Sequence, residues 1–325
     1  MEEKEFLRRP APAKREITER TVIGGFTYPF GAYPEEEFAQ QAGFDSKYIK
    51  EGGYFYYQVA VSHQRALEVF YDIAALLPAK VYLVAQVHTD DYYKESDTYI
   101  TENPEDRDEF LGWVRDWADV VGDDGFFGLG MFAEDPTAEV FLDEHKTIHV
   151  YHHNPDLIEA ALERLNIPFV MDMKMFWDQP HYHEPLPLAD EYSEDYLTAF
   201  EDLADRYELI LEEDEAENLD EQGAPLGMTC WKVDVRGYRP VKEPGERAMG
   251  FYSTVYVNAE SRFEATDLID SYMEGRNEFA DLYLQMARVP GELLTTGLRR
   301  LNPGEEPGVW YETERVEFEW DGAQN

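Results

Sequence analysis

The chain has 325 residues, 43% of them hydrophobic and 14% aromatic, with 69 Asp and Glu against 28 Lys and Arg, a formal net charge of −41. That apolar and aromatic content describes a globular protein rather than a disordered one. The charge excludes nucleic-acid binding, which relies on Lys and Arg, and disfavours docking on anionic membranes. Cys230 is the only cysteine, so no intramolecular disulfide is possible, which suits a reducing compartment. The N-terminal stretch MEEKEFLRRPAPAKRE carries no apolar signal region, and no apolar run approaches bilayer length. A cytoplasmic protein is the expectation.

Residues 1–18 read as a polar tail. Apolar alternation starts at TVIGGFTYPFGAY, and YFYYQVAVS reads as a strand. Ser62 is placed to cap a helix in which Ala66, Phe70, Ile73 and Leu77 recur at helical spacing. KVYLVAQVHTDD (80–91) reads as a strand and YYKESDTYITENPED as a polar loop. A helix from Asn103-Pro104 follows, with Phe110, Trp113, Val114 and Trp117 on its inner stripe. GFFGLGMFAED (125–135) and AEVFLDEHKTIHVYHH (138–153) read as two strands. Gly125, Gly128 and Gly130 lack the strand-turn-helix setting of a nucleotide loop and read as a bulge or a close packing contact. Asn154 and Pro155 open an amphipathic helix, and FVMDMKMFW closes the domain as a strand.

DQPHYHEPLPLA (178–189) reads as a proline-rich linker. Residues 190–221 hold fifteen acids and one arginine, yet Leu197, Phe200, Leu203, Ala204, Tyr207 and Leu211 keep helical spacing behind Ser193 as cap. MTCWKVDVRGYRP and AMGFYSTVYVNAE read as strands joined by a loop at Pro244-Gly245. A helix from Ser261, a further amphipathic stretch EFADLYLQMARV and a closing strand through Val309, Tyr311 and Thr313 follow.

The expected fold is therefore α+β, with mixed or antiparallel sheets, helices on one face and a ferredoxin-like ββα/βαβ organisation. The echo between YYQVAVSHQRALEVFYDIAALL and STVYVNAESRFEATDLIDSYM adds the expectation of a duplication. The expected divisions are the tail 1–18, an α+β domain 19–189, an acidic helix and linker 190–225, and a second α+β domain 226–325.

No phosphate loop, dinucleotide fingerprint or nucleophile elbow is present. Cys230 in a strand reads as a small core residue. The histidines stand out: six of eight fall between 145 and 183. Residues two apart share a strand face, which puts His145, His149 and His153 opposite Ile148 and Val150. His181 and His183 in PHYHEP share a face in the same way. His149, His153, His181 and His183 are thus the candidate ligands for a divalent metal such as zinc, with Glu184, His88 and Asp90 as additional candidates. The same histidines also read as polar surface of an exposed strand and loop, with His152 and His153 ending the strand before Asn154.

Two function classes follow. The first is a non-enzymatic binding or regulatory protein, in its sharpest form an immunity or inhibitor protein for a basic partner. The second is a metal-dependent hydrolase using the histidine cluster of 145–183. The acidity itself also fits adaptation to high salt, where repulsion is screened and an acidic surface stays hydrated. The scarcity of lysine, 10 against 18 arginines, fits that reading.

Overall fold

The computed structural model describes residues 20–186, 195–212, 218–220, 223–241 and 248–320. The expected tail 1–18, the cap Ser193 and the Pro244-Gly245 loop lie outside the described residues. The fold is mixed α+β with largely antiparallel sheets, as expected. The chain divides into two units, residues 1–87 with 98–210, and residues 88–97 with 211–325.

The first unit opens with a short ribbon, β1 (Val22–Ile23) and β2 (Phe26–Thr27), and then β3 (Ala32–Pro34). Next come β4 (Gly43–Ile49), β5 (Tyr54–Ala60), helix α1 (His63–Ala74), β6 (Lys80–His88), β7 (Ser96–Thr101) and β8 (Glu105–Asp106). Helices α2 (Arg107–Asp116) and α3 (Ala118–Asp123) lead into β9 (Phe127–Glu134), β10 (Thr137–Leu142) and β11 (Ile148–His152). Helix α4 (Pro155–Arg164), strand β12 (His181–His183), helix α5 (Tyr196–Tyr207) and β13 (Leu209–Leu211) follow. One large sheet runs β13-β7-β6-β9-β10-β11-β5-β4, with β8 beside β6, while β12 pairs with β3 in a separate ribbon.

Successive antiparallel pairings leave β5 and β6 parallel, with β11, β10 and β9 between them. Helix α1 therefore crosses three strands, where a ferredoxin-like βαβ unit crosses one. Its core side chains Ala66, Val69, Phe70 and Ile73 are fully buried, as are Val59, Val140, Ile148 and Val150 of the sheet. Ser62 holds the N-cap position of α1, but its hydroxyl accepts from the Thr27 amide (3.1 Å) instead of capping. The acidic helix α5 is capped by Asp195, whose carboxylate accepts from the Thr198 amide at 2.9 Å. It belongs to the first unit, where Asp202 accepts from the indole N–H of both Trp113 (2.8 Å) and Trp117 (3.1 Å).

Several sequence expectations differ from the structure, among them the 178–189 linker, which contains strand β12, and Leu211, which lies in β13 and not in the acidic helix. The stretch 138–153 is two strands, because the Asp143–Thr147 segment turns the chain back on itself. FVMDMKMFW is not a strand: Phe169 makes one isolated bridge to Phe44, and Phe176–Asp178 is a 3-10 turn. The polar loop after β6 contains strand β7, whose burial its polar composition concealed.

The second unit is built on the long hairpin β14 (Thr229–Arg239) and β15 (Met249–Ala259). Helix α6 (Arg262–Glu274), β16 (Phe279–Arg288), α7 (Thr296–Leu301), β17 (Gly308–Glu312) and β18 (Val316–Glu319) complete it. Its sheet runs β16-β14-β15-β17, with β18 also paired to β15. Residues 279–288 are thus a strand, although their amphipathicity suited a helix equally well. Trp231, Val233, Phe251, Val255 and Val257 pack against Ile269 and Met273 of α6. Two buried ion pairs tie residues 88–97 into this unit, Arg262 with Asp97 (3.0 Å) and Arg288 with Asp91 (2.9 Å). Cys230 is a buried core residue whose thiol is pushed up to about 12 by burial.

Candidate metal centre

The Asp143–Thr147 turn is fixed by its own polar atoms. The Asp143 amide donates to Thr147 O (3.0 Å) and the Lys146 amide donates to Asp143 O (3.0 Å). One Asp143 carboxylate oxygen accepts from the Thr147 amide at 2.7 Å. Lys146 takes a left-handed conformation (φ 61°), and its buried ammonium donates to Phe127 O at 2.6 Å. Burial lowers the Lys146 pKa, against the raising effect of Asp124, Asp143, Glu144 and Asp123 around it. The turn lifts His145 off the strand ladder and presents its imidazole at the tip.

Strand β12 brings the second element. It pairs with β3 in the register His181–Pro34 and His183–Ala32. A close backbone crossing behind it sets its position. The Glu184 amide donates to Gly31 O (2.8 Å), and the Gly125 amide donates to Glu184 O (3.1 Å). A Cβ on Gly125 would lie 1.9 Å from Gly31 O, so the crossing requires glycine. Asp124 fastens the exit of the segment by accepting from the Leu186 amide at 2.8 Å. Gly125 thus marks a close packing contact, as its sequence setting suggested.

The two elements meet in a triangle of imidazole nitrogens. His145 Nε2 lies 3.2 Å from His181 Nε2 and 3.1 Å from His183 Nε2, and the latter two are 2.9 Å apart. The opposite nitrogens identify the tautomers. His181 Nδ1 faces Gln179 O (2.8 Å), His183 Nδ1 faces Gly125 O (2.9 Å), and His145 Nδ1 faces the Asp143 carboxylate (3.3 Å). Carbonyls and carboxylates only accept, so each Nδ1 carries the hydrogen and each Nε2 presents a lone pair. Three lone pairs then point at one another across about 3 Å, an arrangement that a cation between them stabilises. At the metal–nitrogen distance of about 2.0–2.1 Å, this spacing subtends roughly 90–105° at an ion, within the range of octahedral and tetrahedral sites.

The surroundings are aromatic and acidic. Phe176 and Trp177 pack on His145 at 5.5 and 4.9 Å. Gln40 holds this segment by accepting from the Phe176 amide (2.9 Å) and donating to Lys174 O (3.1 Å). Asp143 also accepts from His149 Nε2 at 2.8 Å, and Tyr56 lies on the far side of that ring, its Oη 2.7 Å from His149 Nδ1. Burial works against the Asp143 charge, but His149 and His145 beside it hold its carboxyl well below the usual range. Burial likewise opposes charge on His145, yet the Asp143 carboxylate raises its pKa on balance.

Of the residues expected from sequence, the structure brings His181 and His183 together. The third imidazole of the triangle is His145. His149 stands one step away, behind Asp143, because the turn separates it from His145. His153 sits exposed at the end of the β11 segment, with Nδ1 3.4 Å from Thr137 O. Glu184 turns its carboxylate to the Tyr33 hydroxyl (3.0 Å). His88 and Asp90 belong to the second unit, where Asp90 pairs with Lys232 at 2.7 Å. His145 and Asp143 had one sequence signal: the polar run DEHKT breaks the apolar alternation in the middle of an apparent strand.

No protein-family model, curated protein or solved structure matches this chain.

Proposed function

We propose that the first unit is a metal-dependent catalytic domain in which His145, His181 and His183 hold one divalent transition ion. The observation that carries this reading is the convergence of three lone-pair-bearing Nε2 atoms within 3.2 Å of one another. Each opposite nitrogen is anchored by an acceptor, the outer-shell arrangement that orients metal-bound imidazoles. Three protein ligands leave room for water or substrate, which is the pattern of catalytic rather than structural zinc sites. An ion held by His145, His181 and His183 would acidify a bound water at neutral pH, so hydrolysis is the reaction class we assign. The alternative, a non-enzymatic binder for a basic partner, is supported by the net charge, the tyrosine-rich composition and the missing catalytic signatures. A duplicated strand-to-helix unit is also proposed, supported by Ser62 and Ser261 at the N-cap positions of α1 and α6 after a strand, although the three-strand crossing of α1 departs from a ferredoxin-like unit.

The test is metal-dependent hydrolysis of a panel of p-nitrophenyl esters and phosphates by tag-free protein. The expected result is turnover that chelation abolishes, zinc or another divalent transition ion restores, and His183→Ala eliminates. Turnover indifferent to chelation, or none with any ion, overturns the hydrolase assignment.

A further inference from the structure

Behind the triangle, the outer-shell carboxylate of Asp143 also bonds His149, and His149 in turn bonds Tyr56, two groups that metal binding does not require. On the sheet face opposite the buried Ile148 and Val150, Tyr56 of β5 lies against His149 and Tyr151 of β11. The Tyr56 and His149 rings are nearly parallel, with centroids 5.9 Å apart and planes 9° apart. Since His149 Nε2–H donates to the Asp143 carboxylate at 2.8 Å, His149 Nδ1 carries a lone pair. The Tyr56 hydroxyl therefore donates to it, across 2.7 Å. The result is a directed chain: phenol O–H to imidazole nitrogen, imidazole N–H to carboxylate.

Such a chain suits one-electron oxidation of the phenol. A phenol that loses an electron becomes a very strong acid, and its oxidation is easiest when the proton has a short path to a base. Here the base is the His149 imidazole, whose other ring nitrogen faces the buried Asp143 carboxylate. Tyr33, Tyr272 and Tyr283 donate to the carboxylates of Glu184, Glu312 and Asp270. A carboxylate is a weaker base than imidazole by roughly two pKa units. Burial and the nearby Tyr151 and Asp143 raise the Tyr56 pKa, which keeps its proton in place in the resting state.

The rings around Tyr56 also form a continuous row. Trp177 lies 4.9 Å from His145 and 6.3 Å from His149. On the other side, Tyr151 lies 4.7 Å from Tyr56 and 5.6 Å from Tyr54, the first residue of β5. Aromatic contact thus runs without interruption from the imidazole triangle through Tyr56 to the end of the strand.

We propose that Tyr56 is a redox-active tyrosine, oxidised by a one-electron outer-sphere acceptor to a neutral phenoxyl radical with transfer of its proton to His149. The step balances. Tyr56 loses one electron to the acceptor, its O–H bond breaks, and the proton forms an N–H bond at His149 Nδ1. The imidazolium so formed lies against the Asp143 carboxylate. Return of one electron from a reductant sends the proton back to the phenol oxygen. The step requires no ion in the triangle.

The experiment uses the metal-free full chain with tris(bipyridine)ruthenium(III), generated by a laser flash with persulfate as quencher. Electron paramagnetic resonance follows the tyrosyl radical, and circular dichroism confirms that each variant is folded. The expected result is a tyrosyl signal that Tyr56→Phe lowers by about tenfold and Tyr283→Phe leaves unchanged. His149→Gln, which keeps Tyr56, slows radical formation by about tenfold, equivalent to 1.4 kcal/mol on the barrier. A wild-type yield in Tyr56→Phe overturns the proposal, as does a wild-type rate in His149→Gln. Because the oxidant is added and no metal is present, the outcome is independent of whether the triangle binds an ion.

Discussion

At the residue scale, function concentrates on hydrogen-bond direction rather than residue type. What separates His145, His181 and His183 from the other histidines is that their Nε2 atoms converge while each Nδ1 is engaged by an acceptor. Asp143 is the charged member of that outer shell. Asp143→Asn should weaken metal affinity by about 10–100-fold, the usual cost of losing such a partner, in a competition titration against a chromogenic chelator. His149→Ala, which removes a histidine outside the triangle, should change affinity far less than His145→Ala. Equal losses in the two variants would show that the triangle is not the binding site. The imidazole pair of HYH was legible in the sequence because period-two spacing places both side chains on one face. His145 was not legible, since a strand reading of 138–153 assigns it to the His149 face. The backbone bonds between Asp143 and Thr147, the Asp143 side-chain bond to Thr147 N and the left-handed Lys146 reveal the turn.

At the element scale, the centre depends on where β12 is held. That three-residue strand has too few ladder bonds to fix itself. Its place comes from the crossing of Gly31, Gly125 and Glu184, and from Asp124 at Leu186. Gly125→Ala should therefore destabilise the protein by about 1–3 kcal/mol through overpacking and should also weaken metal binding. Gly112→Ala is the contrasting case, because a Cβ in that helical position meets nothing within 4 Å. It should stabilise by about 0.5–1 kcal/mol in urea unfolding and leave metal affinity unchanged. Helices α1, α2 and α4 and the hairpin β14–β15 were readable from periodicity, as apolar positions there follow 3.6 or 2 without interruption. Strand β7 was not, because Asp97, Thr98 and Thr101 find buried partners that local composition does not show. Strand β16 illustrates the reverse problem: FADLYLQMAR suits either period, and its pairing with β14 decides.

At the scale of the whole molecule, charge and buried ion pairs set the response to solvent. A net charge of −41 opposes the compact state, and screening shortens the reach of that repulsion from about 30 Å at 0.01 M salt to about 3 Å at 1 M. The melting temperature followed by circular dichroism should rise with KCl across that range, and a flat profile would contradict the account. The pH response has a defined sign. Burial raises the Glu312 pKa, but bonds from Arg315, Arg276 and Tyr272 outweigh it and hold the carboxyl below its ordinary value. A depressed folded pKa means the unfolded chain binds more protons. Its contribution is thus present above the ordinary carboxylate value near about 4 and is lost as pH falls through the folded one. Urea midpoints should fall in that window, and Glu312→Gln should flatten the fall. The mixed α+β class was visible in the sequence, but residues 88–97 joining the second unit was not, since Asp91 meets Arg288, 197 positions away, and Asp97 meets Arg262, 165 positions away.

The most direct measurement is titration of the chelator-stripped, tag-free chain with Co2+, whose ligand-field absorption reports both stoichiometry and coordination. One ion per chain is expected, with a spectrum lost in His145→Ala, His181→Ala and His183→Ala and retained in His153→Ala. An absence of bound Co2+, or unchanged binding in the three triangle variants, would contradict a metal centre at the triangle.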